Sequence, residues 1–121
     1  MGYVDLPLAQ FKTLIGDSPE GPIVMINLLR FKGEAGRVSY MRYLELVEPL
    51  MTQRGCRFTY WGMAKATVIG PEQWDMAVLG EYPTRAVLLE MLMSPEYAAI
   101  AQYRQEALED SRLILTEVVA R

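Results

Sequence analysis

The segment Ile23–Phe31 reads Ile-Val-Met-Ile-Asn-Leu-Leu-Arg-Phe directly behind Gly21-Pro22, and it restricts the fold more than any other stretch. Its apolar residues follow one another without the alternation of a half-wet strand, so a strand covered on both faces is predicted. The uncharged residues 22–29 amount to less than half a membrane span. A chain of 121 residues has the length of one domain, enough to enclose a single core. The 51% share of apolar residues is ample for that core and excludes a disordered chain.

The flanking segments supply the partners of this strand. Residues 6–16 predict a short helix, with Asp5 as cap, Pro7 early and Gly16 as its stop. Residues 33–38 read as a polar loop. Ser39 then caps a helix on which Tyr40, Tyr43, Leu44, Val47, Leu50 and Met51 recur at helical spacing. Pro49 cannot donate to the carbonyl of Glu45 and is expected to kink or loosen that helix, and Gly55 to end it. Strands are predicted over residues 57–68 and 74–82, joined around Gly70-Pro71-Glu72-Gln73. Thr84 caps a short helix to Met93. Ser94-Pro95-Glu96-Tyr97 opens another that runs to about Leu108, with serine as cap and proline at the first position. A strand over residues 112–119 closes the chain.

The order is β-α-β-β-α-β with an extra N-terminal helix and a second helix split at Ser94-Pro95, the ferredoxin-like pattern of the α+β class. Residues 1–121 are expected to form a single domain, with 1–20 as a helical extension and 21–121 as the core. Such a sandwich carries its helices on one face of a four-stranded sheet. The other face, apolar here, is too large a patch for a monomer to expose, so a homodimer is expected.

Charge and composition remove whole classes of function. The net charge is −3 and basic residues alternate with acidic ones, which gives no electrostatic support for binding nucleic acid or an anionic membrane. The first ten residues lack a basic leader and an apolar stretch, so no secretory signal is expected. The single cysteine, Cys56, rules out an intrachain disulfide and fits a reducing, cytoplasmic compartment. There is no histidine. That removes Ser-His-Asp and Cys-His triads, His-ligated haem and the usual zinc sites. No glycine-rich loop leads from a strand into a helix, so no nucleotide phosphate motif is present. Neither a metal nor a cofactor is expected.

Several segments, in order and at their spacings, carry a family resemblance. They are Asn27-Leu28-Leu29-Arg30-Phe31, Tyr40-Met41-Arg42-Tyr43 with Pro49, and residues 55–58. Further on come Ile69-Gly70-Pro71, Glu81-Tyr82-Pro83-Thr84-Arg85, Ser94-Pro95-Glu96-Tyr97, Arg104 and Asp110-Ser111-Arg112-Leu113-Ile114. Over nearly its whole length the chain resembles the bacterial family known as domain of unknown function 1330. The resemblance implies the dimeric α+β-barrel superfamily, in which two ferredoxin-like sheets pack face to face, and implies no agreed activity. Relatives often carry a histidine before the arginine matched by Arg104, where this chain has Tyr103. An aromatic residue before the Ser-Pro-Glu-Tyr motif is replaced by Met91-Leu92.

Six residues are candidate ligand contacts. Asn27 and Arg30 bring an amide and a guanidinium into an apolar strand. They either anchor a ligand or are satisfied locally, Asn27 by a neighbouring backbone and Arg30 by an acid at the strand end. Tyr43 and Tyr97 lie on inward helical faces and stand out from a set that includes Tyr40, Tyr60 and Tyr103. Tyrosines can line a pocket and offer hydroxyls to a ligand, or serve as core and rim residues. Arg104 falls on the apolar stripe of Tyr97, Ile100, Ala101 and Leu108, where a buried cation needs a carboxylate. Glu81 is the candidate partner, a ligand the alternative. Glu81 is also a candidate general base if burial raises its pKa. Glu45 and Glu48 read as a solvated helix face, Cys56 as a buried thiol and the eight methionines as core.

Three functions remain. One is a small-molecule binding protein with a pocket between sheet and helices for a compact, partly apolar, anionic metabolite. Another, by analogy of fold within the superfamily, is a cofactor-independent enzyme of the monooxygenase or isomerase type using tyrosine, arginine and glutamate. The third is a structural dimer without ligand.

Overall fold

A computed structural model of the chain describes residues 2–15 and 21–119. The elements run α1 (Leu8–Ile15), β1 (Ile23–Phe31), α2 (Gly33–Thr52), β2 (Arg57–Met63), β3 (Met76–Tyr82), α3 (Arg85–Leu92), α4 (Pro95–Ala107) and β4 (Leu108–Glu117). The strands form one antiparallel sheet in the order β2-β3-β1-β4. β1, the most apolar segment, lies between β3 and β4, because a strand without a polar edge is best satisfied inside the sheet. The fold is ferredoxin-like and α+β, as the element order predicts.

The sheet has two unlike faces. On one, Ile23, Met25, Leu29 and Phe31 of β1 and Met76, Val78 and Tyr82 of β3 are buried beneath α2 and α4. α2 contributes Tyr40, Tyr43, Leu44, Val47 and Met51 to this layer, and burying each such side chain stabilises by about 1.5–3 kcal/mol. Ends α2 and α4 approach closely where Gly36 has no side chain: a Cβ there would meet the carbonyl oxygen of Ala107 at 2.5 Å. On the opposite, open face, Ile26 lies in register with Leu79 of β3 and with Ile114 of β4, forming an apolar row across three strands.

Several boundaries differ from expectation. α2 begins at Gly33, so Ser39 lies inside it and donates from Oγ to the Tyr103 carbonyl (3.0 Å) instead of capping. The Glu34–Arg37 pair (2.6 Å) reinforces the added turn. Pro49 is tolerated one turn from the end of α2. Gly55, at φ 75°, then closes a Schellman pattern in which Cys56 N–H donates to the Met51 carbonyl and Gly55 N–H to that of Thr52. β2 stops at Met63, leaving residues 64–75 as a loop on which Val68 and Ile69 are each 93% exposed. β4 starts at Leu108, where α4 passes directly into it. α1 starts at Leu8, too far on for Asp5 to cap it, and its expected stop, Gly16, lies outside the described residues. Thr84 and Ser94 cap α3 and α4 as predicted, accepting from Val87 N–H and Tyr97 N–H (both 3.2 Å).

Candidate functional site

α4 carries its side chains at helical spacing, and the face it turns inward holds Tyr97 and Arg104. Arg104 is 5% exposed. Its Nη1 donates to the Val4 carbonyl oxygen (2.5 Å) and its Nη2 reaches Ser111 Oγ at 3.5 Å. Both acceptors are neutral, and no described residue forms an ion pair with it. A buried guanidinium without a counter-charge is costly in a low-dielectric surrounding. Ser111 Oγ is itself bound, donating to the Tyr3 carbonyl (2.6 Å), and Tyr3 N–H donates to Asp110 Oδ1 (2.8 Å). The N-terminal segment is thus tied across the start of β4 and over Arg104.

Behind Arg104, between sheet and helices, lies a cavity of about 40 Å³ bordered by Asn27, Tyr40, Tyr43, Tyr82, Tyr97 and Leu6 among others. That is room for roughly three water-sized groups. Tyr43 and Tyr97 share a hydroxyl–hydroxyl hydrogen bond of 2.7 Å with their rings edge to face. Burial pushes the phenols of Tyr40, Tyr43, Tyr82 and Tyr97 above their ordinary pKa, with the Arg104 charge opposing this for Tyr40 and Tyr43. For Tyr97 the hydrogen bond from Tyr43 also opposes it, ahead of Arg104. Of these four hydroxyls, those of Tyr43 and Tyr97 are partnered with each other. Asn27 Nδ2 donates to the Val78 carbonyl (3.2 Å) while its side chain borders the cavity.

Four of the six predicted residues, Arg104, Tyr43, Tyr97 and Asn27, meet at this cavity. The other two do not. Glu81 is not the partner of Arg104: it stands on the open face, where Arg57 Nε binds it at 3.0 Å. Arg30 is also on the open face, donating to the Gln73 carbonyl (2.9 and 3.1 Å), stacked over Trp74 and 3.7 Å from Asp110. Strand parity separates them, since residues 30 and 81 point away from the helices that carry Arg104. Tyr60 is exposed on the open face, and Tyr103 stays outside the cavity lining. Sequence reasoning missed Tyr82 and Ser111. Tyr82 was accessible through the alternation of Met76, Val78, Gly80 and Tyr82 along β3, whereas nothing local marks Ser111. Burial pushes the Cys56 thiol up to about 11, against the opposing charge of Arg54, and so makes it inert. Among the described residues no three His, Cys, Asp or Glu side chains converge as for a metal ion, and no helix is long and apolar enough to cross a membrane.

Among solved structures, the chain is similar to a protein of unknown function from Rhodopseudomonas palustris at 32% identity, with 100% of both chains covered and a TM-score of 0.88. It shares its fold with a dabb family protein with a ferredoxin-like fold from Mesorhizobium loti. There the identity is 15%, 84% of this chain and 100% of that one are covered, and the TM-score is 0.63. A dimeric protein of unknown function with a ferredoxin-like fold from Bacteroides fragilis matches at 17% identity, over 82% of this chain and 98% of that one, with a TM-score of 0.59. No curated protein matches. The family model described as Domain of unknown function (DUF1330) matches residues 35–119, and together with the full-length relative at 32% identity it establishes that the chain belongs to that family.

Proposed function

We propose that this chain binds a compact, partly apolar, anionic metabolite, with the acid group of the ligand on Arg104. The observation that carries the reading is a guanidinium only 5% exposed, bordering a cavity, whose hydrogen-bond acceptors are a backbone carbonyl and a hydroxyl. A carboxylate is the group that a buried arginine accepts best. Binding is favoured over catalysis by a general base because Glu81, the candidate base, faces away from the cavity and pairs with Arg57. Thermal melts with and without acetate, benzoate and succinate test this. Wild type should gain stability with ligand concentration and Arg104→Met should not. Equal responses of the two proteins would remove Arg104 from the site.

The same reading includes a homodimer paired through the open sheet face and a cytoplasmic location. The apolar row Leu79–Ile26–Ile114, rimmed by the Arg57–Glu81 pair and by Arg112 with Asp110, supports the first; a single buried, inert cysteine supports the second. Such a contact needs about 1,000 Å² in total to be specific. Sedimentation of a monomer at micromolar concentration would contradict it.

A further inference from the structure

Arg104 borders more than the inner cavity. A groove of about 250 Å³ runs outward from it between α1 and α4, lined by Leu6, Leu8, Leu92, Ala98, Ala101 and Tyr97, with Gln105 beside them. The two spaces share Leu6, Leu92, Tyr97 and Arg104. Tyr97, Ala98, Ala101, Arg104 and Gln105 form one stripe of α4, and the two alanines leave the groove open where larger side chains would close it. Besides Arg104, Tyr97 and Gln105, the side chains that line the groove are aliphatic. A third space touching Arg104, of about 300 Å³, is also walled largely by apolar side chains, Leu6, Pro7, Phe11, Leu14 and Leu113 among them, but the charged Asp5 and Arg112 border it, and the Asp5 carboxylate would repel an anion.

The inner cavity, at about 40 Å³, has room for a head group but not for a whole metabolite. We infer that the ligand is a straight-chain aliphatic monocarboxylate, with its carboxylate on Arg104 and its alkyl chain laid along the groove between α1 and α4. This rests on the anion-binding reading of Arg104 and adds to it the shape and polarity of the remainder. The head group is held by charge-assisted hydrogen bonds, and the chain is held by removal of its surface from water.

Isothermal titration of the whole protein with the series acetate, butanoate, hexanoate and octanoate tests the inference. Affinity should rise about fourfold for each methylene until the chain emerges from the groove, then level off. Ala98→Trp, at an exposed position on the groove wall, should flatten that rise, and 1-hexanol should bind more weakly than hexanoate. If acetate and benzoate bind in an Arg104-dependent way but affinity is flat along the series, the groove is not used and only the anion reading stands. A slope that Ala98→Trp leaves intact also overturns the groove. Alcohols binding as tightly as the acids would overturn the carboxylate. If no carboxylate of any length binds, the failure lies in the anion reading itself.

Discussion

The hydroxyl oxygens of Tyr43 and Tyr97 lie 2.7 Å apart, linking the middle of α2 to the first turn of α4 inside the layer between sheet and helices. The link depends on Tyr97 being fixed by the Ser94 cap and on Tyr43 being buried one turn beyond Tyr40. It joins two helices by a polar contact at the edge of the cavity.

Removing one hydroxyl leaves the other buried without its partner, so Tyr43→Phe and Tyr97→Phe should each destabilise by about 1–3 kcal/mol. The double variant should cost less than the sum of the two, because both desolvated groups are gone. Urea unfolding of the four proteins measures the coupling. Strict additivity would show that the bond contributes nothing.

The same burial sets an alkaline limit. The folded pKa values of Tyr40, Tyr43, Tyr82 and Tyr97 lie above the ordinary tyrosine value of 10.0. Their contribution is fully present below about pH 10 and is lost as pH rises toward the folded values, because the unfolded chain releases its phenol protons first. Stability should therefore fall above about pH 10, and ultraviolet titration should show these phenols ionising together with unfolding. Smooth ionisation ahead of unfolding would contradict their burial.

At the acid end the arm over Arg104 is the sensitive element. Tyr3 N–H, followed by the Arg112 side chain and Ser111 N–H, holds the Asp110 carboxyl below its ordinary value of 3.8. The carboxylate stabilises the fold above the unfolded pKa, and that contribution is lost as pH falls through the lower folded value. Hydrogen exchange across residues 2–7 should accelerate below about pH 4, and Asp110→Asn should produce the same acceleration at neutral pH. An arm equally protected in the variant would show that Asp110 does not hold it.

On the open face, Ile26 stands opposite both Leu79 and Ile114. If a second copy covers that row, Ile26→Lys buries an unpaired ammonium at its centre, at a cost of several kcal/mol. Sedimentation should show a dimer for wild type and a monomer for the variant, weakened at least about 100-fold, with an unchanged far-ultraviolet spectrum. A variant that stays dimeric would move the interface to another surface.

Element identity was largely legible along the chain, and element limits were not. The apolar run of β1, the caps Thr84 and Ser94, and Pro95 at the start of α4 are local signals, set by backbone donors that a neighbouring side chain satisfies. The start of α2 was not legible, because the residue before it, Lys32, is held by its N–H donating to the carbonyl of Ala107 far along the chain, and Gly36 leaves room for that carbonyl. Periodicity alone was enough to turn Arg104, Tyr97 and Tyr43 inward.

What accompanies them was decided by tertiary structure. Side chains alternate across a strand, so a shift of one residue decides whether Glu81 meets Arg104 or Arg57, and sheet register and helix placement set that outcome. Val4 and Ser111 come to Arg104 from positions 100 residues before and 7 after it, and no local pattern predicts contacts that depend on where the chain returns. By itself the sequence determined the ferredoxin-like element order and the inward cation. Only folding determined that no acid among the described residues would pair with the cation, because that depends on the faces of all the packed elements at once.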